Sequence, residues 1–365
     1  MSRTIVSLVS AQTIPNYLFI KEMYQEGDEL MFISSEKFKD RIEWITNTLQ
    51  KNDFTLILLD NSMEEKWNEM CARIEEKISP DKEYIVNLTG GTKYMSLAVQ
   101  SVFEKHNKKK LYYLPFPKNH LLRPSWNDDT TIPVKYRVNV EEYMKAYNIT
   151  ISNTKSLTKE IVYTQYLFER YTQGSLNENI LEELRCYRDK TIRISELAVK
   201  TNENIRNFLW GINFPLADPD SSKINKYEIQ YLTGGWFEEF VYDLIKKRLN
   251  PEDIKLGALI TRRGLNHQND LDVVFTLGNK LFVIECKTGV GKGSIFNQTV
   301  YKAASLKEAL LGLPSLSYIF SLSSENKDLI QIAKYMGITY CDVTYFINND
   351  KLNSLIEGIQ QIAYD

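Results

Sequence analysis

The stretch Asn269–Lys287, N-D-L-D-V-V-F-T-L-G-N-K-L-F-V-I-E-C-K, decides the reading of the C-terminal third of the chain. Two β-rich runs flank Gly278-Asn279, a pair suited to the tight turn of a two-residue hairpin. Such a turn sets Leu277 against Lys280 and, counting outward, Asp272 against Glu285 and Asp270 against Lys287. Side chains alternate along a strand, so one face carries Leu271, Val273, Phe275, Phe282, Ile284 and Cys286. That face is wholly apolar and reads as core. The other face collects Asp270, Asp272, Glu285 and Lys287.

Acids directly opposite one another approach within about 5.5 Å at Cβ and repel, so Asp272 against Glu285 is costly without a counter-ion. A divalent cation removes that cost. Hard cations such as magnesium and manganese take oxygen ligands, and two carboxylates, waters and a phosphate oxygen complete an octahedron. The ion lowers the pKa of bound water and neutralises a scissile phosphate, while a neighbouring lysine orients or deprotonates that water. Lys287 shares the face of Glu285 and is the candidate for that role. A solvated ion-pair cluster uses the same residue types. Here spacing, turn and apolar reverse face coincide, and the metal-site reading is preferred.

Working outward, the order is helix Trp236–Leu249, strands Asp253–Arg262, Leu271–Leu277 and Lys280–Lys287, helix Ser294–Leu311, strand Ser315–Ser321, helix Glu325–Met336 and strand Thr339–Val343. In that setting D-x(12)-E-C-K resembles the signature of the PD-(D/E)XK, or restriction-endonuclease-like, family, with Leu271 standing where the family name has proline. The resemblance implies a metal-dependent endonuclease. In it Asp272 and Glu285 bind Mn2+ or Mg2+, the carbonyl of Cys286 is a further candidate ligand, and Lys287 serves the nucleophile. The family often adds a glutamate from its first helix, here within G-G-W-F-E-E-F-V at 234–241. At helical steps Phe237, Phe240, Val241 and Leu244 form a buried stripe with Glu238 at its edge and Glu239 facing away, so Glu238 is the expected member. Gln298, Tyr301 and Lys302 resemble a fourth motif of some members. His267 reads as polar surface. The run G-V-G-K-G-S at 289–294 lacks the spacing of a phosphate loop and reads as a turn beside the site, with Lys292 near substrate phosphate.

The first third alternates strands (Thr4–Val9, Glu29–Ser34, Phe54–Asp60, Glu83–Asn87, Leu111–Pro115) with helices (Pro15–Gln25, Glu36–Lys51, Ser62–Lys77, Thr92–His106). This alternation predicts a Rossmann-like parallel sheet that binds ligands at the carboxyl ends of its strands. At 83–95, E-Y-I-V-N-L-T-G-G-T-K-Y-M runs from strand into helix, so Thr89, Gly90, Gly91, Thr92 and Lys93 sit at a helix start, where glycine backbone, helix dipole and ammonium favour phosphate. T-G-G-T-K, with S-A-Q-T-I-P-N at 10–16 after the first strand, resembles the ligand loops of CRISPR-associated Rossmann fold (CARF) domains. That resemblance implies a homodimer that binds a cyclic oligoadenylate, most often cyclic tetra-adenylate. Its contacts would be Ser10, Gln12 and Thr13, the loop Thr89–Thr92 and Lys93, with Ser34 and Ser35 as weaker candidates. A CARF-like sensor joined to a PD-(D/E)XK-like nuclease resembles the single-nuclease effectors of type III CRISPR defence, which implies allosteric activation and cleavage of single-stranded RNA or DNA.

The expected fold class is therefore α/β: a CARF-like domain over 1–150, a helical connector over 151–230 and a nuclease domain over 231–365. Within the connector, I-S-E-L-A at 194–198 followed by Asn202–Gly211 reads either as a helix-turn-helix or as a plain spacer. The 365 residues leave room for two cores, and a net charge of -2 gives no general pull on polyanions, so nucleic acid must meet a local basic patch. Cys71, Cys186, Cys286 and Cys341 lack zinc or disulfide spacing, and no stretch reads as an export signal or membrane span, which fits a cytoplasmic protein. Only three histidines leave little room for histidine-based catalysis. Two other readings stay open: a ligand-responsive DNA-binding transcription regulator, and a DNA-nicking enzyme without second-messenger control.

Overall fold

The computed structural model describes residues 3–60, 62–63, 65–124, 129–194, 205–218, 223–262, 268–289, 315–324 and 327–364. The N-terminal sheet has five strands, β1 (Arg3–Val9), β2 (Glu29–Ser35), β3 (Thr55–Leu59), β4 (Glu83–Asn87) and β5 (Lys109–Tyr112), all parallel in the order β3-β2-β1-β4-β5. Its strands are apolar runs because both faces are covered. Ile5, Phe32 and Ile85 enter one core, while Val6, Ile33 and Val86 enter the other. The strand order reverses at β1, so the crevice between the ends of β1 and β4 is the expected ligand position of such a sheet.

Past β5 come elements that the sequence reading did not anticipate. A short hairpin of β6 (His120–Leu122) and β7 (Thr131–Pro133) precedes the helix Val140–Lys145, whose capping box joins Asn139 and Glu142. Next is β8 (Ile149–Asn153), which leaves the first domain and pairs antiparallel with a strand of the second sheet. The boundary expected at 150 therefore cuts through a strand that belongs to the C-terminal sheet.

The connector helices Ile161–Thr172, Glu178–Arg185 and Ile205–Gly211, with the two-residue pair β9 (Ile192–Arg193) and β10 (Lys223–Ile224), share one core with the C-terminal domain. Leu167, Ile180, Leu184 and Phe208 pack in the same cluster as Phe237 and Phe275. The proposed helix-turn-helix falls largely on 195–204, outside the described residues.

The C-terminal sheet contains β11 (Asp253–Arg262), β12 (Gln268–Leu277), β13 (Lys280–Lys287), β14 (Ser315–Ser321) and β15 (Ile338–Cys341), in the order β15-β14-β13-β12-β11-β8. The strands β11, β12 and β13 run antiparallel, and β13, β14 and β15 run parallel. Helix Trp236–Leu249 covers one face, joined by Asn349–Tyr364, a helix missing from the sequence reading although Leu352, Leu355, Ile356 and Ile359 recur at its period. No helix among the described residues is long and apolar enough to cross a membrane.

The hairpin turns as expected: Gly278 (φ 57°) and Asn279 (φ 60°) are both left-handed, Leu277 pairs with Lys280, and Val273 pairs with Ile284. One apolar face was misassigned. Val273, Phe275, Phe282, Ile284 and Cys286 lie in the core under helix Trp236–Leu249, but Leu271 lies in the other core, with Val274, Leu281 and Val283. The break lies opposite Gly257 on β11. Its left-handed φ of 54° falls between the pairs Leu256–Val273 and Ala258–Leu271, and side-chain alternation breaks there.

That second core is shared with the N-terminal domain. Val274, Leu281 and Val283 pack in one cluster with Ile14, Tyr17, Tyr143 and Met144. The hairpin turn is gripped from the same side: fully buried Asn279 donates to Asn119 Oδ1 (2.7 Å) and to the Tyr136 carbonyl (3.0 Å), and accepts from the Val138 N–H (2.9 Å). Asn119 in turn donates to the Gly278 carbonyl (2.8 Å).

Candidate active site

At the open end of the hairpin the ladder stops at Val273–Ile284, one pair short of Asp272 and Glu285. There Asp272 Oδ2 accepts the N–H of Cys286 at 2.7 Å. The carboxylate replaces a backbone acceptor and is locked beside β13. Glu285 accepts from Lys287 Nζ at 2.6 Å. Both acids are buried, Asp272 at 7% exposure and Glu285 at 4%.

Burial first, then the charges of Glu285 and Glu238, raise the Asp272 pKa well above the ordinary aspartate value, while Lys287 and the Cys286 N–H oppose the shift. On Lys287 burial works against the charge, but Glu285 and Asp272 outweigh it and its pKa lies above the lysine norm. The Cys286 thiol is pushed well up by burial and the surrounding acids, so it is a poor anionic ligand.

Glu238 acts on Asp272 through its charge, which places it at this cluster. Its carboxylate is held by Lys155 Nζ at 3.0 Å. Glu239 does not face away. It is 3% exposed, accepts the Thr158 N–H at 2.7 Å, and has its pKa raised by burial. The helical wheel put Glu239 toward solvent because it could not foresee the chain at 155–158 lying over this helix. Lys155 itself, which also reaches Asp270 at 3.4 Å, carried no motif. Its one sequence trace is Gly257, since a glycine inside a strand marks a close approach.

The donor set suits a hard cation: buried carboxylate oxygens in excess of the ammonium groups, with Asp272 driven toward protonation by burial and then by the neighbouring acids. Among the described residues no group of three or more His, Cys, Asp or Glu gathers closely enough to hold a metal. His267, Lys292, Gln298, Tyr301 and Lys302 lie outside the described residues.

In the N-terminal domain a pocket of about 270 Å³ opens at the ends of β1 and β2, against the start of helix Lys93–Glu104. Ser10, Gln12, Ser35, Gly91 and Thr92 line it, joined by Lys37 and Phe38, which the sequence reading missed. Several expected contacts also have structural partners of their own. Thr13 is buried and donates to the Ala146 carbonyl (2.5 Å), Thr89 Oγ1 accepts the Leu114 N–H (2.6 Å), and Thr92 caps the helix through Met95 (3.2 Å). Ser34 is buried and bonds to the Ser35 carbonyl. A Cβ on Gly90 would stand 1.8 Å from the Leu8 carbonyl oxygen, so this glycine lets the loop lie on β1. Lys93 is exposed at the helix start.

Residues 4–143 match the family model of the Card1 CARF domain, and residues 225–357 match that of the Card1-like endonuclease domain. The chain joins a Card1 CARF domain to a Card1-like endonuclease domain. No curated protein matches it significantly. Among solved structures it is similar to Can2 from Sulfobacillus thermosulfidooxidans in complex with cyclic tetra-adenylate, at 21% identity and a TM-score of 0.74, covering 98% of this chain and 99% of that one. It is also similar to protein VC1899 from Vibrio cholerae (16% identity, TM-score 0.76, 98% of this chain and 97% of that one). A third similar structure is a type III CRISPR defence DNA nuclease activated by cyclic oligoadenylate (15% identity, TM-score 0.57, 98% of this chain and 52% of that one). At these identities the likeness is one of fold. It places the CARF domain, connector and endonuclease domain of this chain in a shared architecture.

Proposed function

We propose that this CARF endonuclease is switched on by a cyclic oligoadenylate, cyclic tetra-adenylate first among them, and then hydrolyses phosphodiesters of single-stranded RNA or DNA in type III CRISPR defence. The observation that carries the proposal is the pair of buried acids, Asp272 and Glu285, held side by side with Lys287 bonded to Glu285. Burying two like charges is unfavourable for folding, and a bound divalent cation offsets that cost.

Asp272 and Glu285 would hold Mn2+ or Mg2+, with the Cys286 carbonyl as a further candidate. When bound, the ion supplies a nucleophilic water of lowered pKa and neutralises charge at the phosphate. Lys287, bonded to Glu285, would orient or activate the attacking water. Glu238 adds a carboxylate at the rim, where it tightens the electrostatic frame around Asp272.

In the sensor, Ser10, Gln12 and Lys37 offer polar contacts at the carboxyl ends of β1 and β2, and Gly91 and Thr92 bring the helix start to the same pocket. Lys93, exposed at the helix start, would meet a ligand phosphate. Thr13 would act indirectly, through Ala146. A ring-shaped ligand fits a two-fold axis, so the working unit is a homodimer, and reduced cysteines suit a cytoplasmic setting.

The test is a cleavage panel of single-stranded RNA, single-stranded DNA and supercoiled plasmid, with Mn2+ or Mg2+ and each cyclic oligoadenylate in turn. Cutting that needs both ligand and metal supports the proposal. Ligand-independent plasmid nicking would favour an enzyme without a second messenger. Duplex binding without scission would favour a regulator.

A further inference from the structure

One cation of the nuclease centre comes from outside the matched endonuclease segment. Lys155 follows β8, the strand that carries the chain out of the sensor, and its ammonium lies 3.0 Å from Glu238 and 3.4 Å from Asp270. We propose that Lys155 is a positioning residue of the nuclease, holding Glu238 against the Asp272–Glu285 pair and tying that glutamate to the sensor's exit segment. The inference rests on the nuclease reading above and adds to it a residue and a route.

Three observations support it. The Lys155 stem crosses β11 at Gly257, where a Cβ would stand 2.3 to 2.7 Å from Cδ, Cγ and Cε, so the strand gives up a side chain to let the lysine pass. The backbone is fixed at the same point, with the Lys155 N–H donating to the Leu256 carbonyl at 2.8 Å. Three residues on, the Thr158 N–H holds Glu239 at 2.7 Å, so one segment grips both acids of the E-E pair. An ordinary surface ion pair has two mobile partners and contributes little. Here the Lys155 side chain is 46% exposed, but its stem lies against Gly257 and its partner Glu238 is only 15% exposed.

The electrostatics agree. Burial works against charge on Lys155, yet Glu238, then Asp270 and Asp272, outweigh it and lift its pKa to about 12. Without that ammonium, Glu238 loses its 3.0 Å ion pair, and the like charge of Asp272 favours turning it toward solvent.

The experiment uses the full chain with cyclic tetra-adenylate and Mn2+. Lys155→Met keeps the stem and removes the charge. We expect kcat to fall about tenfold or more, in line with misplacement of a group at the reacting centre, with KM and ligand affinity near wild type. Lys155→Arg should recover most of the loss. In a Glu238→Gln background, Lys155→Met should add nothing, because the two act as one unit. A crystal structure of Lys155→Met should show the Glu238 carboxylate turned away from Asp272, a readout independent of activity. Unchanged kcat, or losses that multiply in the double variant, would overturn the role of Lys155 while wild-type cutting leaves the nuclease reading standing. A wild type that cuts no substrate would overturn both.

Discussion

In the loop Thr89–Lys93 of the sensor, the motif residues mostly have partners within the fold: Thr89 holds Leu114, Gly90 lies on Leu8, and Thr92 caps its helix. In the hairpin β12–β13, the motif residues hold one another: Asp272, Glu285 and Lys287 are brought together at a cost that no core demands. A motif can therefore be legible for two different reasons. On the proposed reading the sensor motif builds a shape and leaves recognition to neighbours such as Gln12 and Lys37, whereas the nuclease motif would itself supply the chemistry.

The sharpest way to break this contrast is to remove one acid. Glu285→Ala should lower cleavage by on the order of a thousandfold or more while cyclic tetra-adenylate affinity stays at the wild-type value. Loss of ligand binding as well would mean that the two halves are misassigned.

Gly90→Ala should act on the fold, since its Cβ would meet the Leu8 carbonyl. We expect a loss of about 3 kcal/mol by chemical denaturation. A change within about 0.5 kcal/mol would show that this glycine serves the ligand and not the packing.

Asn279 tests how the regions communicate. Asn279→Gly keeps the left-handed turn but deletes three hydrogen bonds to the sensor. It should cost about 2 kcal/mol of stability and lower the ratio of ligand-activated to basal cleavage several-fold. An unchanged ratio would remove the turn from the route.

The smallest effects belong to the pocket rim. Lys37→Ala and Gln12→Ala should each weaken ligand binding by about tenfold, measured calorimetrically, with stability within about 0.5 kcal/mol of wild type. Normal binding in both would move the ligand elsewhere.

Elements with strong local signals were readable from the sequence. Strands β11, β13 and β14 and the helix Trp236–Leu249 end where alternation, period and turn residues place their ends. Long-range partners were not. β8 is a five-residue strand whose ladder lies far along the chain at β11, and nothing local in I-T-I-S-N names that partner. Asn279 reads only as a turn residue, because its partners, Asn119, Tyr136 and Val138, sit in another domain. Glu239 and Leu271 were misplaced for the same reason: ideal periodicity ignores a covering segment at 155–158 and a left-handed glycine at 257.

The most direct measurement is anomalous diffraction from crystals of the full chain soaked in Mn2+. A single peak in contact with both Asp272 and Glu285, absent from Glu285→Ala crystals, is the predicted result. A peak at other residues, or none at either acid in the wild type, would contradict the shared-cation account.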